Sequence, residues 1–211
     1  MRDLVIYGAG GFGRETALLV EQINTVARQW NLIGFYDDKI AKGAEVDSLP
    51  VLGGLKDAQE RIAKASLVIA IADPSVREVV VNALTSSVYD FPTLIHPRAV
   101  TGRSSNHIGK GSVITAGCIF TTGITIEDFC IINLSTTIGH DVTVGAFSTV
   151  MPGCNISGNV LIGKGCMIGT GVQMLQNLRL GKSCKVGAGA VVTKNFGDFA
   201  TVVGVPAEQI K

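Results

Sequence analysis

With 211 residues, and 18 Lys plus Arg against 17 Asp plus Glu, the chain has a formal net charge of +1, too little for a field that would draw in nucleic acid or an anionic membrane. That length holds one large domain or two small ones. No apolar run approaches the roughly 18 residues needed to cross a bilayer, and glycines behind an acidic Asp3 make MRDLVIYGAGGFG a poor signal peptide. These features predict a soluble, cytoplasmic protein that acts on a small molecule or another protein.

Residues 1–95 alternate strand-like and helix-like stretches: LVIYGAG, ETALLVEQI, LIGFYDD, DAQERIA, SLVIAIAD and VREVVVNAL. Strands alternating with amphipathic helices predict a parallel sheet covered by helices, a Rossmann-like α/β domain. Gly8, Gly10, Gly11 and Gly13 sit between the first strand and its helix, and Asp37 and Asp38 end the next strand. That is the outline of a dinucleotide fingerprint, in which the helix N-terminus offers backbone donors to a phosphate. A domain this short leaves little room for a second mononucleotide half, which argues against NAD. A domain that merely caps its neighbour is the alternative.

Residues 96–211 read differently. Every sixth residue from Ile108 to Val192 is large and apolar, fifteen in succession without a slip. Four residues after each runs a second column of mostly small or apolar residues, which contains all five cysteines. A period of six fits a short strand and a corner, repeated. Three sides make a coil of eighteen residues, so Ile108 to Gly197 predicts five coils, stacked at about 4.8 Å into a prism roughly 24 Å long. Glycine after the large aliphatic, as at Gly109, Gly139, Gly145 and Gly163, suits corners with unusual backbone angles or close approach. The pattern resembles the hexapeptide-repeat left-handed parallel β-helix, which typically assembles as a trimer. The α/β domain and the tail FATVVGVPAEQI are expected to cover the two ends. Uncharged outward positions, among them Thr121, Thr122, Leu134, Met151 and Leu175, suit a subunit interface.

Five cysteines with no C-x-x-C pair, all on one inward column, read as core residues. His96, next to Pro97, and His107, at a turn, read as structural. A zinc site of the three-histidine type lacks its third ligand within the coils, so no metal is expected. His140 stands two residues after the inward Ile138 and therefore projects outward, where neighbouring subunits would meet; a solvated or interface-packing histidine is the alternative.

NLSTTIGHD, the hexads, the closing VVTKNFGDFATVVGVPA and the opening GAGGFGRE together resemble the bacterial sugar acetyltransferases grouped with sialic-acid O-acetyltransferase. That group includes the UDP-4-amino-sugar N-acetyltransferases of bacillosamine and perosamine pathways. The resemblance spans essentially the whole chain. It implies an acetyl-CoA-dependent acetyltransferase acting on the amino group of a UDP-linked amino sugar, with sugar O-acetylation or a non-catalytic nucleotide-sugar scaffold as alternatives. It carries the catalytic base to His140 and the carboxylate that orients it to Asp141. Gly158, one coil on, would place its backbone N–H against the thioester oxygen or the CoA thiol, and Thr170 and Ala188 would line the pantetheine arm of acetyl-CoA. Gly8, Gly10, Gly11 and Gly13 would lie near the sugar-nucleotide diphosphate, Asp37 and Asp38 near the uracil, and Asn133 would bind substrate. Phe12 departs from the family, which often has histidine at that loop position. From the residues alone, Lys164, Arg179, Lys182, Lys185 and Lys194 make the later coils basic, with no acidic residue between Asp141 and Asp198, which suits the phosphates of CoA.

Overall fold

The computed structural model describes residues 1–85, 88–102 and 105–211, and the chain divides into two compact units, Met1–Pro97 and Arg98–Lys211. In the first unit the elements are β1 (Arg2–Tyr7), α1 (Gly11–Val26), β2 (Trp30–Tyr36), β3 (Glu45–Val46), β4 (Leu49–Pro50), α2 (Leu55–Glu60), β5 (Ala65–Ile69), α3 (Pro74–Leu84) and β6 (Tyr89–Asp90). The four longer-range strands form a parallel sheet in the order β2-β1-β5-β6. Leu4 to Tyr7 and all of β5 are buried, the continuous apolar runs of parallel strands covered on both faces. Helix α1 turns Ala17, Leu19, Val20 and Ile23 to the core. Helix α3 starts at Asp73, whose carboxylate accepts from the amides of Ser75 and Val76, with Pro74 in the first turn. The β3–β4 hairpin escapes the sequence reading. Its turn is Asp47-Ser48, at φ 47° and 63°, and carries no glycine to announce it.

Three parallel sheets enclose the second unit as a triangular prism. The first face runs from His107–Ile108 to Arg179–Leu180, the second from Val113–Ile114 to Thr201–Val203, and the third from Ile119–Phe120 to Val191–Val192. Each strand pairs with the one a full turn later, as Thr125 and Ile126 do with Thr143 and Val144. The hexad aliphatics fill the interior: Ile126, Val144, Val150 and Ile168 are fully buried. Where the sequence predicts five coils, each face has a sixth rung. Bridges Val100–Ile119 and Leu180–Phe196, and the pairing of Lys185 with Thr201, supply them. These rungs escaped the hexad count because their spacing breaks it: the final turn takes sixteen residues, as the Lys182–Asp198 and Arg179–Asn195 contacts show. Beyond it, Thr201–Val203 pairs antiparallel with Glu208–Gln209, burying Ala200, Val202 and Ala207 over the end of the solenoid.

The corners bear out one of the two roles expected for their glycines, close approach, and not the other, an unusual backbone angle. Every sixth residue from Gly111 to Gly189 is left-handed, with φ between 56° and 74°, and this position holds Phe129, Ser135, Asp141, Phe147, Asn159, Asn177 and Ser183 as well as glycine. It lies two residues beyond the glycines singled out in the sequence. Those glycines have ordinary φ and are needed for close approach alone: a Cβ on Gly163 would lie 2.6 Å from the carbonyl carbon of Gly181 in the next turn.

All five cysteines are inaccessible, and their thiols donate to carbonyls of the next turn, Cys130 to Gly145 at 3.3 Å and Cys166 to Gly181 at 3.1 Å. Burial pushes the Cys166 thiol up to about 12, so almost no thiolate exists near neutrality. We therefore expect no reaction of the native protein with an aromatic disulfide reagent at pH 8, and five equivalents consumed in denaturant. Rapid labelling without unfolding would contradict the packing.

Candidate active site

In the first unit the strand order reverses at β1, which has β2 on one side and β5 on the other. Ligands of open parallel sheets bind beyond the carboxyl ends of the strands at such a switch point. The four glycines of the loop after β1 divide into two roles. Gly8, at φ +102°, would bring a Cβ 2.9 Å from the carbonyl oxygen of Ala70, and a Cβ on Gly13 would collide with that of Gly8. These two permit the turn. Gly10 and Gly11 have nothing within 4 Å of a Cβ position, and α1 begins with no side-chain cap, so its first amides are open to an anion.

Asp37 and Asp38 are already engaged. Asp37 accepts from the amides of Ala9 and Lys39, both at 2.8 Å, and Asp38 accepts from the Tyr7 hydroxyl at 2.5 Å and the Leu55 amide at 2.8 Å. The pair ties the glycine loop to the start of α2. Burial, and then the adjacent Asp38 carboxylate, raise the Tyr7 phenol well above its ordinary range. Phe12 packs against the cluster of Ile6, Ala17 and Phe35, so this loop can present backbone but not a polar side chain where the family often has histidine. A cleft of about 380 Å³ lies nearby, lined by Tyr36, Lys42, Leu52, Asp57, Glu60 and Arg61. The sequence reading passed over Arg77, a cation on the inner face of α3 that is 1% exposed and donates to the carbonyls of Ile71 and Ala72. It holds the loop after β5, opposite Gly8. Its only sequence signal is an arginine on an apolar helical stripe.

In the second unit the candidate residues fall on two different edges of the prism. His140, Asp141 and Gly158 lie on the edge joining the third face to the first, in the corners after Thr137–Ile138 and Asn155–Ile156. His140 Nδ1 is 2.9 Å from Asp141 Oδ2, and the two side chains are 62% and 67% exposed. With its proton on Nδ1 the ring donates to the carboxylate and keeps the Nε2 lone pair free. Gly158 lies against the ring: a Cβ there would fall 2.4 Å from His140 Nε2. Among the described residues the Gly158 amide has no hydrogen-bond partner, whereas Asn159, next to it, donates to the His140 carbonyl at 2.7 Å.

Asn133, Thr170 and Ala188 lie on the edge joining the second face to the third. Thr170 and Ala188 have amides without partners among the described residues. Asn133 is 6% exposed, and its side-chain oxygen accepts from the Leu134 amide at 2.8 Å, so it faces its own corner. The third face separates these residues from His140, and one chain does not bring the two groups together.

Charge is partitioned among the edges. The edge between the first and second faces carries Lys110, Glu127, Asp128, Lys164, Lys182 and Asp198. Among the described residues, the edge of Thr170 and Ala188 has no charged corner residue from Thr115 onward, and that of His140 has only His140, Asp141 and Lys194. The basic later coils predicted from sequence are therefore split. Lys182 pairs with Asp198 on the charged edge, and only Lys194, itself bonded to Glu208, shares the edge of His140. His96 is buried against Gln22, and among the described residues no three His, Cys, Asp or Glu side chains are grouped to hold a metal. No helix among the described residues is long and apolar enough to cross a membrane.

Comparison with known proteins places this architecture. Residues 3–84 match the PglD N-terminal domain, and residues 159–194 match the bacterial transferase hexapeptide (six repeats). The GDP-perosamine N-acetyltransferase of Escherichia coli O157:H7 is 31% identical over 153 residues, covering 71% of this chain and 68% of that protein. The chain belongs to the hexapeptide-repeat sugar acetyltransferases. As a member it is an acetyl-CoA-dependent acyltransferase. Among solved structures, the acetyltransferase domain of PglB from Neisseria gonorrhoeae FA1090 in complex with acetyl coenzyme A is 31% identical, with 99% of each chain covered and a TM-score of 0.90. PerB from Caulobacter crescentus, in complex with CoA and GDP-perosamine, is 26% identical over 99% of this chain and 97% of that one, with a TM-score of 0.86.

Proposed function

We propose that this acetyltransferase moves the acetyl group of acetyl-CoA onto the amino group of a nucleotide-linked amino sugar, with His140 as general base. The observation that carries this reading is the outward His140–Asp141 pair at 2.9 Å beside the amide of Gly158, which has no partner among the described residues. The amine nitrogen attacks the thioester carbon. Nε2 takes the proton that the nitrogen must lose, and Asp141 stabilises the imidazolium that forms. Gly158 N–H faces the oxygen on which charge develops. The C–S bond then breaks and the thiolate leaves, protonated by the imidazolium. No covalent enzyme intermediate is needed.

The sugar nucleotide would bind at the switch point of the first unit, with its diphosphate on the amides of Gly10 and Gly11 at the start of α1. Asp37 and Asp38 shape that loop, and the family resemblance sets them near the base. Acetyl-CoA would lie along the uncharged edge of Thr170 and Ala188, with Lys194 toward its phosphates. Because this edge and that of His140 flank one uncharged face, a site uniting them requires a second copy of the chain, and the working enzyme would be a homotrimer. Ile119, Leu134 and Leu175, each more than 40% exposed in the single chain, lie on that face and its two edges and would be covered in it. The segregation of charge to the remaining edge supports the same arrangement.

Uridine is the base favoured by the bacillosamine-type resemblance, and the GDP-perosamine relative makes guanosine the competitor. The test is release of CoA thiol with UDP- and GDP-linked 4-amino sugars, alongside the corresponding hydroxyl sugars, with light scattering for mass. Turnover of an amino sugar by a particle of three chains is expected. Turnover of the hydroxyl sugars alone would replace N- by O-acetylation, and activity in a monomer would remove the shared site.

A further inference from the structure

Asp141 reaches His140 only if its carboxylate lies along the edge of the prism, and the residue one turn earlier determines whether it can. Gly123 occupies the same corner position as Asp141 in that earlier turn, and both are left-handed, at φ 70° and 58°. A Cβ on Gly123 would lie 2.5 Å from Asp141 Oδ1, and all three of its nearest neighbours belong to Asp141. The backbone angle alone does not demand glycine here, because Asp141, Asn159 and Asn177 hold φ of 58°, 56° and 63° on this edge with side chains in place. Space does.

We propose that Gly123 is a positioning residue for acetyl transfer: its missing side chain leaves room for the Asp141 carboxylate that holds His140 Nδ1. The proposal rests on the reading of His140 as the base. Together with Gly158, which lies against the imidazole from the following turn, it sets the dyad between two glycines. The clash at Gly123 involves the far end of a flexible side chain, so a methyl there displaces the carboxylate and leaves the coil in place.

The test compares Gly123→Ala with Gly165→Ala. Gly165 is left-handed at φ 71° on the charged edge, and its Cβ would meet only Ser183 Oγ, at 3.5 Å. Both variants carry the same backbone cost and should melt alike. Only Gly123→Ala should lose kcat, by about 10²-fold for a displaced catalytic group, with KM for both substrates unchanged. Ring ¹⁵N shifts of His140 should show loss of the Nδ1–H tautomer in Gly123→Ala alone. Equal kcat and equal tautomer populations in the two variants would overturn the proposal. His140→Ala, measured in parallel, separates the two levels: if it retains activity both readings fail, and if it is inactive while Gly123→Ala matches the control, only this one does. Should Gly123→Ala not fold, the same change in an Asp141→Ala background removes the close contact and should fold. Failure there too would overturn the placement.

Discussion

Replacing His140 by alanine is expected to lower kcat about 10²- to 10⁴-fold, the range for losing a general base, while KM for acetyl-CoA stays close to its original value. The side chain is 62% exposed and its ring rests on a glycine, so truncation opens no cavity and removes no buried partner. Melting temperature should therefore be unchanged, which separates this variant from a folding defect. Asp141→Asn keeps the shape of the carboxylate and removes its charge, so it should reduce kcat less than His140→Ala, again with little effect on KM. The measurement is the initial rate of CoA thiol release at saturating acceptor. Activity of His140→Ala within tenfold of the original would exclude the imidazole as the base.

Gly145→Ala should cause a large loss of stability for so conservative a change. A Cβ there would lie 2.5 Å from the Lys164 amide nitrogen and 2.6 Å from the Gly163 carbonyl carbon, both backbone atoms of the next turn. Unlike the carboxylate at Asp141, these atoms cannot swing aside. The turns, spaced about 4.8 Å apart, must separate locally. The bonds from Gly145 N to the Ile162 carbonyl, 2.8 Å, and from Gly165 N to the Ala146 carbonyl, 2.9 Å, lie directly beside the intrusion. Overpacking of about 1–3 kcal/mol and about 1 kcal/mol for each weakened bond give a loss of about 3 kcal/mol or more. In a chain of this length that lowers Tm by roughly 6–12 °C. Gly165→Ala, with only the cost of its left-handed backbone, should lose about 1–2 kcal/mol. Equal melting of the two variants would show that the inter-turn contact does not limit stability.

The solenoid was legible because its pattern is local and repeated. An inward Ile or Val every six residues can be counted without knowing what it touches, and eighteen-residue arithmetic alone puts Gly158 one turn on from His140. The last turn was not legible, since sixteen residues replace eighteen: Phe196, which falls in the second column by count, bridges Leu180 of the first, and Thr201 lies beyond the count. The left-handed corner position was hidden for a different reason. Glycine, asparagine, serine, aspartate and phenylalanine all occupy it, so composition does not mark it. In the α/β unit the glycine loop was visible as spacing, yet nothing in the spacing says that Gly8 and Gly13 make the turn while Gly10 and Gly11 stay open. Nor does it say that Phe12 turns into the core.

The amino-acid sequence by itself determined the two-part architecture, the inward columns and the outward direction of His140, because strand and corner periods follow from backbone geometry over a few residues. The period stacks residues eighteen apart, but only the tertiary structure decided how the remaining groups are divided among the edges and how their side chains meet. It set Asn133, Thr170 and Ala188 apart from His140, put most of the charge on the remaining edge, and laid the Asp141 carboxylate in the space left by Gly123. Those relations depend on how side chains pack between stacked turns, which the period that stacks the turns does not record.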